Sequence, residues 1–125
     1  MWSVGCGVWN ENLKARTRDF ALRVIRLVEN LPRTRTANVI GKQLLRSGTS
    51  VGANYRSACR AKSTADFVAR MAIVEEEADE SSYWMELLLE AGIVENGIVK
   101  DLMDESSELV AIAVTSAKTA RGVSR

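Results

Sequence analysis

The stretch TANVIGKQLLRSGTSVGANYRSACRAK, residues 36–62, decides the fold of this chain because it admits two opposite readings. Its centre, SGTSVGAN (47–54), sets Gly48 and Gly52 among small polar residues, a composition that local propensity scores as a turn. Helical phase points the other way. At about 100° per residue, Ile40, Leu44, Ser47, Val51 and Ala58, with Tyr55 more loosely, fall on one side of a single helix. Lys42, Arg46, Arg56 and Arg60 then fall within a sector of about 80° on the opposite side. A turn at Gly48 would leave no reason for both stripes to keep phase across it. The stretch therefore reads as one continuous helix whose glycines and alanines let a neighbouring backbone come close. Each interior glycine costs about 1 kcal/mol relative to alanine, so a kink is the alternative.

Working outward, Leu13, Phe20, Val24, Leu27, Val28 and Leu31 recur at three- and four-residue steps and mark an upstream amphipathic helix. Leu31-Pro32 ends it, because the residue before proline is pushed out of helical geometry. Downstream, Ser63-Thr64-Ala65-Asp66 offers a capping hydroxyl and an early acid, the signature of a helix start. Phe67, Met71, Val74, Ala78, Trp84, Met85 and Leu88 mark the apolar face of that third helix, with Glu75, Asp79, Glu86 and Glu90 opposite. Gly92 is a helix stop, and Asn96-Gly97 leads into a last helix bearing Ile98, Leu102, Leu109, Ile112, Ala113 and Ser116 on one side. Short connections favour antiparallel neighbours. The expected fold is all-α, an up-down four-helix bundle spanning residues 9–118, with helices at about 10–31, 36–62, 64–92 and 97–120. Residues 1–8 and 121–125 read as tails.

Composition narrows the function classes. A chain of 125 residues, 46% hydrophobic and 26% charged, has room for one domain with one modest core. No apolar run approaches the roughly 20 residues that a membrane span needs, so no membrane role is expected. The start, MWSVGCGVWNEN, has no basic residue ahead of an apolar stretch and does not read as a secretion signal. Cys6 and Cys59 form no close-spaced pair, and free thiols in a cytoplasmic protein are the expectation. There is no histidine, which removes the commonest general base and the commonest metal ligand. Ser47, Ser50 and Ser57 have no visible activating base, and no phosphate-cradling glycine loop is present. The acids Glu75, Glu76, Glu77, Asp79 and Glu80 lack the histidine three residues on that carboxylate-bridged metal bundles use, so they read as a solvated face. No enzyme activity, no cofactor and no metal site are expected.

Two polar features remain inside the pattern. Glu77 falls within the apolar stripe of the third helix, and a buried carboxylate needs partners. Gln43, Asn54 or an arginine could supply them, making Glu77 a structural polar pin that fixes helix register. Trp84 reads as core, whereas Tyr83 sits off the stripe and could be core or a stacking surface for a base.

The net charge of +1 conceals an asymmetry. Residues 1–62 hold twelve Lys or Arg against three acids, a balance of +9, and residues 63–125 hold five against thirteen, a balance of −8. The stripe Lys42, Arg46, Arg56, Arg60, with small Thr49 and Ala53 between its members, can follow a phosphate backbone without steric obstruction. Arg16, Arg23, Arg26, Arg33 and Arg35 are candidates to extend it. The competing reading is a scaffold whose basic and acidic faces join subunits.

The segments LPRT (31–34), KQLLRSGTSVGANYRSACRAKSTADFVARM (42–71) and EADESSYWMELL (77–88) resemble the bacterial four-helix-bundle proteins encoded in intervening sequences of 23S ribosomal RNA genes. The resemblance covers roughly residues 9–118 and rests most firmly on Gln43 to Ser47, Ser50 to Asn54, Asp66-Phe67 and Tyr83-Trp84. It implies a bundle that assembles into a homo-oligomer, a ring of five, with a role in binding RNA or DNA. It is similar, more distantly, to the accessory protein of diversity-generating retroelements, a basic pentameric barrel serving a reverse transcriptase. One position departs from the family pattern. A lysine often precedes the Glu-Ala of the third helix, and here Glu76 stands there, making that helix more acidic.

Overall fold

The computed structural model describes the backbone of residues 8–122 and the side chains of residues 12–122. Four helices follow one another, α1 (Val8–Glu29), α2 (Arg35–Ala58), α3 (Thr64–Glu90) and α4 (Asn96–Gly122), with no strand among the described residues. The expected tails and Cys6 lie largely outside the described residues. Val8, Arg121 and Gly122 are already helical.

Neighbouring helices run antiparallel, and the cross-contacts give the register. Leu31, just beyond α1, lies against Gly41 of α2, while Val24 and Thr17 of α1 lie against Gly48 and Gly52. On α2 and α3, Arg46 meets Glu80, Ser47 meets Ser81 and Ser57 meets Arg70. Arg16 meets Glu105 and Glu108 across α1 and α4. This is the up-down bundle that the short connections imply.

The core is built by the expected stripes. Phe20 and Val24 of α1, Leu44, Val51 and Tyr55 of α2, Phe67, Met71, Met85 and Leu88 of α3, and Val99 and Leu109 of α4 are fully enclosed. Small polar residues share that interior. The Ser47 hydroxyl lies 2.9 Å from that of Ser81, one donating to the other, and the carbonyls of Leu44 and Glu77 on their own helices lie within hydrogen-bond reach at 3.3 and 2.9 Å respectively.

The long second helix is continuous across 47–54, as the shared phase of its two stripes requires. It ends at Ala58, four residues before Lys62. Amides there turn to nearer carbonyls, with Arg60 N–H donating to Ser57 and Ala61 N–H to Ala58. Ser63 adopts an extended backbone and its hydroxyl accepts from Asp66 N–H, while the Asp66 carboxylate reaches back to Lys62 N–H. That backbone donor holds the Asp66 carboxyl below its ordinary range. These caps draw residues 59–63 out of the helix.

Ile98 departs from expectation. It is 60% exposed, and Val99 takes the core position instead. Ile98 lines an open cleft of about 480 Å³ between α1 and α4, together with Leu27 and Leu102. No helix among the described residues is long and apolar enough to cross a membrane.

Candidate nucleic-acid interface

An amphipathic helix must turn its polar face outward, and α2 does so with an unusual composition. Residues 35–58 contain Arg35, Lys42, Arg46 and Arg56 but no acid. Intrahelical ion pairs cannot form there, so any compensation comes from another helix or from outside.

Arg46 is compensated from within. Its Nη2 lies 2.6 Å from Glu80 Oε2 and its Nη1 lies 3.3 Å from Glu77 Oε1. Glu80 also accepts from Trp84 Nε1 at 3.0 Å. The Arg46 hydrogen bond, helped by that of Trp84, holds the Glu80 carboxyl below the usual glutamate range. The guanidinium in turn is held more firmly protonated, by Glu80 first and then by Glu77.

This corrects the expected polar pin. Gln43 is exposed, and Asn54 donates to the Ser50 carbonyl one turn back on its own helix. The partner of Glu77 is the arginine at 46, because that side chain is long enough to cross the α2–α3 seam. The pin and the basic stripe therefore share a residue. Trp84 is half-buried against the core, with its indole N–H on Glu80, and Tyr83, 51% exposed, meets it edge-on with centroids 5.0 Å apart.

Lys42 and Arg56 remain on the outer face of α2, exposed and with no ionic partner among the described residues. Fourteen residues separate them, a rise of roughly 21 Å along the helix. Arg60 is exposed too, but it lies in the turn beyond Ala58, where the helical phase that grouped it with the others no longer applies. The four expected residues thus divide into two free cations on one face, one neutralised seam residue and one loop residue.

The α1 cations divide similarly. Arg16 is bidentate to Glu105, with Nη2 at 2.7 Å, and also reaches Glu108 at 2.9 Å, so it belongs to the α1–α4 seam. Arg23 lies 3.8 Å from Asp19 on its own helix. Arg26, Arg33 and Arg35 are exposed. Lys14 and Arg18, which the stripe analysis passed over, line a concavity with Arg56. Their signal was present in the sequence as cations four residues apart, on the flank of the apolar stripe rather than opposite it.

Ser47 is fully buried, and Ser57 accepts from Arg70 Nη1 at 2.6 Å. The acids of α3 do not converge, and no group of three or more potential metal ligands forms among the described residues.

Comparison with known proteins places this geometry in context. A family model described as 23S rRNA-intervening sequence protein matches residues 10–115. No curated protein matches the chain. A crystal structure of a protein of unknown function from the S23 ribosomal protein family of Bacteroides thetaiotaomicron is similar at 35% identity, with a TM-score of 0.79. The similarity covers 84% of this chain and 97% of that one.

Proposed function

The chain belongs to the 23S rRNA-intervening sequence protein family, and from that premise we propose that it is a non-catalytic bundle that binds nucleic acid, structured RNA or a nucleoprotein, through the basic face of α2. It works as a homo-oligomer, a ring of five copies. The observation that carries this reading is the uncompensated charge of α2: Lys42 and Arg56 stand free on a helix that has no acid of its own. A helix gains nothing by accumulating one sign of charge, and phosphates are the partners that such a face fits. Arg60 adds a third cation in the turn that follows this helix.

The test is a salt titration of RNA binding with the Arg56→Gln/Arg60→Gln variant, alongside its solution mass. Loss of two phosphate contacts should flatten the dependence of log affinity on log salt by about two units. The oligomer should be unchanged. Binding of equal affinity and slope in wild type and variant would overturn the reading.

A scaffold without a nucleic-acid role is the second reading, and a specific observation favours it. Asp79, Glu86 and Glu90 lie exposed on α3, an acidic face available to a neighbouring copy's cations. In that case the double variant shifts the mass distribution toward smaller species.

A further inference from the structure

Helices α1 and α2 approach closely where Gly52 faces Thr17. A Cβ built on Gly52 would lie 3.1 Å from the Thr17 hydroxyl. The approach leaves a groove of about 270 Å³ above it, edged by Lys14 and Arg18 on α1 and by Arg56 on α2. No carboxylate lines this groove, and its three cations have no ionic partner among the described residues.

The floor adds shape but no competing charge. Thr49 turns its hydroxyl back to the carbonyls of Leu45, at 2.8 Å, and Arg46, at 3.2 Å. Thr17 donates to the Lys14 carbonyl at 3.2 Å. With these donors occupied by the backbone, only the rim cations are left to hold a ligand. Lys14 and Arg18 repel each other by a few tenths of a kcal/mol as like charges four residues apart. Arg16, two residues from either, is by contrast fully engaged with two glutamates. Ionic compensation on α1 thus reached Arg16 at the α4 seam and Arg23 beside Asp19, but neither Lys14 nor Arg18.

From this we infer that the groove between α1 and α2, edged by Lys14, Arg18 and Arg56, seats the sugar-phosphate backbone of a nucleic-acid strand. The inference rests on the nucleic-acid reading above and deepens it, because it moves the contact from the crest of α2 into the α1–α2 groove. It also adds two residues of α1 to the interface. A line of phosphates fits better than an acidic helix of a second copy. The cations flank a narrow floor of small residues on two sides, as a thin, evenly charged strand requires, whereas carboxylates on a helix project singly.

The experiment uses the full chain, a fluorescein-labelled RNA hairpin and a salt titration. The variants are Lys14→Gln/Arg18→Gln, Ala53→Glu and, as control, Lys100→Gln on α4. Arg56 is left intact, so the α2 contact is preserved. The expected result is a slope reduced by about two units in the α1 double variant, with affinity lowered roughly 10- to 100-fold at about 0.1 M salt. Ala53→Glu places a carboxylate in the groove on an exposed helical position and should weaken binding as strongly, while Lys100→Gln binds like wild type. Unchanged slope and affinity in both groove variants, with wild type binding well, would overturn the groove and leave the α2 reading standing. No salt-dependent binding by wild type would overturn both. A fall in solution mass for Lys14→Gln/Arg18→Gln would identify the groove as a contact between copies and overturn the inference.

Discussion

Gly48 lies on α2 directly against the Val24 side chain of α1. A Cβ placed on it would meet both methyl carbons of Val24 at 2.9 Å, closer than packed carbon atoms tolerate. Helix propensity alone would reward Gly48→Ala by about 1 kcal/mol. Overpacking against a buried, β-branched valine costs about 1–3 kcal/mol, and the clash wins. Gly48→Ala should therefore lower stability in denaturant titration, and Gly48→Ala/Val24→Ala should recover part of what the single variant loses on account of the clash. A stabilised single variant would mean the helices are free to separate. At the α2–α3 seam, Arg46 and then Trp84 hold the Glu80 carboxyl below its ordinary value of 4.5. A depressed carboxyl contributes stability that is complete above the unfolded-state value and is lost as pH falls through the folded-state value. The pair is open to solvent, so it is worth about 0.2–1 kcal/mol. The difference in melting temperature between wild type and Glu80→Gln should accordingly shrink on acidification from about pH 6 to about pH 3. A constant difference would show that the ion pair contributes nothing to folding.

At the level of the helix, α2 shows what sequence can and cannot specify. Its continuity was legible because Leu44, Val51 and Tyr55 keep one phase on both sides of Gly48, and periodicity of burial outweighs the local preference of single glycines. Leu44 is fully enclosed, so Leu44→Ala should cost about 2–5 kcal/mol in chemical denaturation, with less than about 1 kcal/mol showing that the site is not core. The C-terminal boundary was not legible. Phase carries Arg60 onto the basic face, but Ser63 and Asp66 cap the next helix and redirect residues 59–63. Removing that cap with Ser63→Ala should cost about 0.5–2 kcal/mol, measured by thermal unfolding, and an unchanged melting temperature would show that the cap contributes nothing. The candidate interface was legible only in outline. One helix in isolation gives directions for its charges, and Lys42 and Arg56 do point outward as read. Which cations remain free depends on the neighbour: Arg46 is cancelled by Glu77 and Glu80 because α3 lies within reach, and no periodicity within α2 contains that distance. Lys14 and Arg18 were missed for the converse reason. They lie on a flank of α1 and acquire a common groove with Arg56 only once α2 packs beside them.

Over the whole molecule, the charge asymmetry becomes a division of the bundle, with α1 and α2 carrying the excess cations and α3 and α4 the excess acids. Opposite charges meet where the halves touch, at Arg46 with Glu77 and Glu80 and at Arg16 with Glu105 and Glu108. These pairs satisfy only a minority of the residues, leaving Lys42 and Arg56 on one side and Asp79, Glu86 and Glu90 on the other, all exposed. If copies associate through such a two-signed surface, exposed Leu22, Ile25 and Val39, from 37% to 58% accessible, offer apolar area for the contact. Sedimentation at micromolar concentration should therefore give several times the 13.7 kDa monomer mass. Salt then separates the two forces. Attraction between exposed charges is screened within about 10 Å at 0.1 M salt and far more at 1 M, whereas burial of apolar area is not weakened by screening. If the apolar residues hold the assembly, its mass stays constant as salt rises and RNA is released first, with a slope set by the phosphates contacted. Dissociation of the copies at the same salt as the RNA would assign the charges to the subunit contact, and a monomer at every concentration would remove self-association altogether.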